Sequence, residues 1–390
     1  MSEEKKLILK MLKENKISED EALKLLDAIG SNKNTEKNKK EDNTEFSTGN
    51  FVSKIINGVE KAINIASKKI ENMDFELINF SSQNFNAKTV KNYSYDIEND
   101  INLFIKNKNG TVEIINSYSD NLEIKANISY DSNILDEKYE FIESKIENND
   151  YYFGLRNESS QSNYSVNFQV YIPEDYTNSI NVINSNAGIK INEINTKNIN
   201  LKTSNAKIYL QEINADEIIA TTSNATISLE EIESDTIDVT TSNARINICE
   251  CSADKLVATT SNARITLDDI SIADLITKTS NGSIQINDLD CATIDAKSSN
   301  GSISISDFSD NIIKIKAKTS NGSIRIEDIN LERSVKAIMS GKDSSGLSSL
   351  FTNINKNNNE IVATTELYNS SDNNTLDIEA FTSNSKVIIQ

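Results

Sequence analysis

The sequence predicts a mainly β protein, a parallel β-solenoid (β-helix) of 19-residue coils, preceded by a small N-terminal helical hairpin and an amphipathic helix. Two observations carry the solenoid. Ser-Asn-Ala or Ser-Asn-Gly recurs with its asparagine at Asn186, Asn205, Asn224, Asn243, Asn262, Asn281 and Asn300, a constant interval of 19 residues. An eighth copy follows at Asn321 after a two-residue insertion, and Thr382-Ser383-Asn384 repeats the motif near the C-terminus. A fixed period of this length marks stacked units, each too small to bury a core alone.

The second observation is the set of apolar columns that appears when the copies are aligned on the asparagine. Six residues before it stand Ile199, Ile218, Ile237, Leu256, Leu275, Ile294 and Ile315; four before it stand Leu201, Ala220, Val239, Ala258, Thr277, Ala296 and Ala317. Pairs such as Ile208 and Leu210, or Ile246 and Ile248, follow at three and five residues after it. Period two is the signature of a strand with one face inward, so each coil holds two short strands. A further apolar column eight residues on, from Ile194 and Ile213 through Cys251 to Phe308 and Ile329, predicts a third corner or strand, leaving a two- or three-sided solenoid. Only 6% of residues are aromatic, which suits a thin core of small β-branched side chains.

The chain divides into six parts in order. Residues 1–30 read as a helical hairpin with apolar Leu7 and Met11 in one helix and Leu25 and Leu26 in the other; Ser18 and Glu21 form a capping box and Gly30 is the stop. Residues 31–50 are polar without periodicity and read as a flexible linker. Over 51–72, Phe51, Ile55, Ile56, Val59 and Ile63 fall at helical spacing beside Lys68 and Lys69. This amphipathic helix reads either as a lid on the open solenoid end or as a segment docking on an anionic membrane or a partner helix. Residues 73–176 read as an irregular N-terminal β segment and cap, with a degenerate first coil around Asn109-Gly110 and a strand ending at Pro173, the one proline. The regular solenoid spans 177–332, and 333–390 hold an insertion and a final coil.

Charge bounds the partners. Residues 1–72 carry 14 lysines and 13 acidic residues, leaving 26 basic and 46 acidic in the β-body, a net charge of −20. Phosphate neutralisation by Lys and Arg underlies nucleic-acid binding, so nucleic acid is excluded as a partner; an acidic body favours solubility or a cationic partner. Residues 1–10 are charged, without an apolar signal region, and no run of about 18 apolar residues occurs. Cytoplasmic residence is expected, with peripheral attachment to a membrane or cell surface as the alternative. Three cysteines agree with a reducing compartment, and Cys249-Glu250-Cys251 lacks the further ligands of a metal site.

The hairpin Ile8 to Leu12 followed by Lys16 to Leu26, the stretch Asn109-Gly110-Thr111-Val112-Glu113-Ile114, and Pro173-Glu174-Asp175-Tyr176 ahead of the Ser-Asn-Ala/Gly coils together resemble the putative adhesin domain family with β-strand repeats. The resemblance is to its YvlB/LiaX-like members, which carry a short N-terminal helical (SHOCT-like) domain. It implies a non-enzymatic β-repeat protein, linked in some members to bacterial cell-envelope stress, and brings no catalytic residues.

Three repeated surfaces offer chemistry. The asparagine column reads as an internal amide ladder or as corner residues tolerating a left-handed backbone. Seven residues after each asparagine stands an acidic column: Glu193, Glu212, Glu231, Glu250, Asp269, Asp288, Asp307 and Asp328. These read as carboxylates capping backbone N–H groups at a turn or as metal sites in which Ca²⁺ bridges adjacent coils; glycine-rich calcium repeats are absent, and no other cofactor is expected. Outward Thr221 and Ser223, Thr240 and Ser242, Thr259 and Ser261 form a hydroxyl stripe, read as a glycan or ice surface or as solvated β-favouring residues.

The expected function is a non-enzymatic interaction or scaffold protein, adhesin-like, acting in envelope stress response or homeostasis, with a protein partner taken by the N-terminal helices. The alternative is a carbohydrate-active enzyme or glycan-binding module on a β-helix. With no histidine in the chain, acid–base work would fall to carboxylates, and no loop gathers a pair of them with a basic residue.

Overall fold

The computed structural model describes residues 85–117, 121–156, 162–173, 177–330, 333–342, 346–349, 351–357, 360–368 and 375–390. The hairpin expected over 1–30, the linker over 31–50 and the amphipathic helix over 51–72 lie outside them. Among the described residues the fold is β throughout, and no helix is long and apolar enough to cross a membrane.

The regular coils are parallel strands in register. Ile189–Lys202, Ile208–Thr221, Ile227–Thr240, Ile246–Thr259, Ile265–Lys278 and Ile284–Lys297 stack so that each paired residue faces its counterpart 19 positions away. Identical columns therefore lie one above another at about 4.8 Å, which is why an Ile column can be a core. The predicted inward columns are buried: Ile199, Ile218 and Ile237 at 1% exposure or less, and Ile208, Leu210, Ile227 and Leu229 likewise. Each buried Ile or Leu contributes about 1.5–3 kcal/mol. Thr277 sits at 0% exposure among these apolar side chains and its hydroxyl has no hydrogen-bond partner.

Each coil has three sides. Between the coils of Asn205 and Asn224 the ladder runs over Ile208–Gln211, breaks, resumes over Ile213–Ala215, breaks again and resumes over Glu217–Thr221. The first break falls at Glu212 and the second at Asp216. The column eight residues after the asparagine, with Ile213, Ile232, Cys251 and Ile270 at 3% exposure or less, is the wall of the short middle side.

Stacking order departs from chain order at both ends. Ile101–Lys106 and Val112–Ser117 form the degenerate coil expected around Asn109-Gly110. They pair on one side with Thr177–Ile183 and Ile189–Lys202, and on the other with Asp150–Leu155 and Tyr164–Pro173. The intervening chain builds a cap of antiparallel strands: Ala87–Asp96 on Asn121–Tyr130, that strand on Tyr164–Pro173, and Ile142–Glu147 on Asp150–Leu155. The cap holds the aromatic residues that the thin coils cannot accommodate. Phe141 packs edge-on to Tyr139 and Tyr164, and the Tyr164 hydroxyl donates to the Arg156 carbonyl at 2.6 Å. Burial raises the pKa of that hydroxyl. Pro173 ends its strand, where a missing N–H costs no ladder bond. At the C-terminal end, residues 375–390 return to lie between coils that precede them in the chain.

Candidate functional site

The corner of each coil is a pair of hydrogen-bonded columns. On the outside, asparagine side chains form one continuous ladder: Asn186 Nδ2 donates to Asn109 Oδ1 at 2.9 Å, Asn205 to Asn186, and so on through Asn224, Asn243, Asn262, Asn281, Asn300 and Asn321 to Asn384. The ladder reading holds, but the column is not internal: from Asn205 onward these residues are exposed. The amides satisfy one another on the surface rather than in the core.

The internal column stands two residues earlier and escaped the sequence reading. Thr222, Thr241, Thr260, Thr279, Ser298, Thr319 and Thr382 are buried, and each hydroxyl donates to a carbonyl of the preceding coil, as Thr260 does to Ala244 at 3.0 Å. Its signal was a hydroxyl residue recurring at the 19-residue period beside the outward threonines. Thr221 and Ser223 of the predicted hydroxyl stripe do point outward.

The corners come in two forms. Where glycine follows the asparagine, its N–H donates to the hydroxyl of this buried column, as Gly301 does to Ser298 at 2.9 Å. A Cβ on Gly301 would stand 1.7 Å from the Gly282 carbonyl oxygen. Glycine is therefore required by close backbone approach.

The acidic column occupies the break between the first and middle sides. Glu193, Glu212, Glu231, Glu250, Asp269, Asp288, Asp307 and Asp328 all have positive φ, between 49° and 65°, and all are exposed. This left-handed residue turns the strand direction and leaves the ladder unpaired at that point, like the extra residue of a bulge. The left-handed bend sets the place of this column at the gap in the ladder. Positive φ favours Asn, Asp and Gly; nothing in the structure explains Glu at four of the eight. Among the described residues no group of three or more His, Cys, Asp or Glu is gathered to hold a metal ion.

A groove of about 470 Å³ runs along the middle side across the coils from Asn214 to Asn311. Its floor is the column Ala215, Ser234, Ala253, Ile272 and Cys291, and its walls carry exposed Asp216, Glu233, Asp235, Asp254 and Asp290, with no basic side chain in the lining. None of these wall residues was singled out from the sequence, although Asp216, Asp235 and Asp254 recur at 19 residues. Hydrogen bonds from Ser309 and Asn311 hold the Asp290 carboxyl below the ordinary carboxylate range. Burial pushes the Cys291 thiol up to about 12, with the Asp290 and Asp274 charges adding to it. Leu7, Met11, Leu25 and Leu26 of the partner hairpin, and Phe51, Ile55, Ile56, Val59, Ile63, Lys68 and Lys69 of the amphipathic segment, lie outside the described residues.

Residues 101–274 match the family described as Toastrack DUF4097, and residues 3–34 match a SHOCT-like domain. No curated protein matches the chain. Among solved structures, a putative cell adhesion protein from Clostridium sporogenes aligns at 9% identity over 77% of this chain and 100% of its own, with a TM-score of 0.28. A putative lipid binding protein from Parabacteroides distasonis aligns at 13% identity over 61% and 97%, TM-score 0.37. A putative adhesin from Bacteroides fragilis aligns at 12% identity over 62% and 98%, TM-score 0.34.

Proposed function

For a chain that carries a toastrack domain over residues 101–274 behind a SHOCT-like domain over residues 3–34, we propose a non-enzymatic, adhesin-like scaffold acting in bacterial cell-envelope homeostasis. The observation that supports this is the groove. It is a long, solvent-open trough crossing successive coils, walled by one kind of charge, and such a surface suits binding along its length. Catalysis by acid and base needs groups of contrasting character brought to one point, whereas these carboxylates are set out in rows by the coil period.

In this reading the β-body presents the repeated surface and the N-terminal segments select the partner. Residues 1–30 recruit a protein, and residues 51–72 attach the chain to an anionic membrane surface or to a partner helix. Affinity capture from a bacterial envelope fraction with the immobilised full chain tests the reading. A defined protein should be retained, and lost when Leu7, Met11, Leu25 and Leu26 are replaced by Ser. Polysaccharide cleavage by the full chain, abolished by Asp235→Asn and Asp254→Asn, would overturn it. Flotation with anionic liposomes tests the attachment: the full chain should float, and a chain lacking 51–72 should not.

A further inference from the structure

The coil of Asn384 is held from both sides by strands made before it. Leu376–Phe381 pairs in parallel with Lys314–Lys318 on one edge and with Val335–Ser340 on the other; Val387–Ile389 pairs with Ile324–Ile326 and with Gly346–Leu347. The segment brings its own core, with Leu376, Ile378, Ala380, Val387 and Ile389 at 1% exposure or less. Its corner repeats the interior corners, since the Thr382 hydroxyl donates to the Gly322 carbonyl at 2.9 Å and Asn384 Nδ2 to Asn321 Oδ1 at 2.6 Å. On the opposite edge the Thr382 N–H donates to the Ser340 carbonyl at 2.9 Å, and the Lys342 N–H to the Ser385 carbonyl at 2.8 Å.

Without this segment, two strand edges and two apolar walls would face each other unpaired. Unpaired parallel edges of matched register are templates for another strand. Both walls precede the segment in the chain, so they are synthesised before it, and residues 366–375 connect it to the last cap strand, Glu360–Thr365. The contacts that recognise the segment do not depend on whether it belongs to the same molecule.

We propose that the slot between the coil of Asn321 and the strand Val335–Ser340 is a strand-acceptor site for residues 376–389 of a second copy of this chain, giving a reciprocally exchanged dimer. Recognition is by the apolar residues at 376, 378 and 380, by the Thr382 hydroxyl, and by the Asn384 amide that extends the ladder. The same bonds form in either arrangement, so protein concentration and the connecting residues set the balance.

Ala317 and Ala380 face each other across the slot, and neighbouring strands lie about 4.8 Å apart, within disulfide reach. The test uses full chains carrying Cys249→Ser, Cys251→Val and Cys291→Ala. A chain with both Ala317→Cys and Ala380→Cys should form an internal disulfide. One chain with Ala317→Cys and another with Ala380→Cys, unfolded together and refolded at high concentration, should form a covalent dimer of two 43.4 kDa chains. Ile378→Asp in the second chain should abolish it. An internal disulfide without any dimer from the mixture overturns the proposal, and so does failure of the internal disulfide in a folded chain. Because core substitutions can impair folding, the unsubstituted chain is also refolded at rising concentration and sized by light scattering. A dimer fraction that grows and persists on dilution supports exchange; a monomer at every concentration overturns it.

Discussion

Asn262 donates its side-chain amide to Asn243 across 2.7 Å, and Asn243 donates in the same sense to Asn224 across 2.7 Å. Every rung points the same way, so each interior asparagine is at once a donor to one coil and an acceptor from the next. Replacing Asn243 by Ala removes two bonds whose partners remain open to water, at a cost of about 1 kcal/mol. Adjacent rungs should also couple. The doubly substituted Asn243→Ala, Asn262→Ala chain should lose less than the sum of the single changes by about 0.5 kcal/mol, whereas Asn205→Ala and Asn300→Ala should add. Denaturant midpoints with an unchanged slope measure both.

The same chemical change should have opposite signs at two buried threonines. Thr241 donates to the Ala225 carbonyl at 3.2 Å, so Thr241→Val should destabilise by about 1–2 kcal/mol and Thr241→Ser by less. Thr277 is buried with an unpartnered hydroxyl, and Thr277→Val should stabilise by about 1 kcal/mol, because it removes the cost of an unmade bond while keeping the shape. A melting temperature that falls in both variants would show that Thr277 is satisfied.

The acidic corner is tested by substitutions that separate backbone from charge. Glu231 has φ of 55°, a conformation that costs a side-chain-bearing residue about 1–2 kcal/mol. Glu231→Gly should therefore be neutral or stabilising, and Glu231→Val should destabilise by about 1–2 kcal/mol, since β-branched residues tolerate positive φ least. Added Ca²⁺ should leave the melting temperature of the unsubstituted chain unchanged. A calcium-dependent rise lost with Glu231→Gln and Glu250→Gln would assign the column to metal binding.

Burial pushes the thiols of Cys251 and Cys291 up to about 12 from an ordinary value of 9.0. At pH 8 both should resist alkylation in the native protein and react on unfolding, because the thiolate is the nucleophile. Since the folded state holds these protons more tightly, the two groups have no effect on stability below pH about 9, and they lower it as pH rises from there towards 12. Fast native labelling of Cys291 would show the groove floor open to reagent.

Within one coil nearly everything followed from the period. In-register stacking puts each residue over its counterpart, so a column that is apolar in the sequence, such as Ile199, Ile218 and Ile237, is a core column in space. The Asn186 to Asn384 ladder follows for the same reason, because only a spacing of one coil brings those amides within reach. The buried hydroxyls of Thr222 and Thr241 were missed because adjacent Thr221 and Thr240 share their chemistry and differ only in the face to which the strand turns them.

The repeat is therefore written in the chain: the coil length, the inward columns, the corner and the acidic position seven residues beyond it. Folding in three dimensions adds that the coil has three sides, that the asparagine ladder is outside, that the acids sit at a left-handed bend, and that the coils of Asn109 and Asn384 are each enclosed by strands distant in the chain. Column membership is a local property of period and alternation. Side number, exposure and stacking order depend on backbone angles and on which edges pair, and a parallel edge accepts any strand of matching register wherever it lies in the chain.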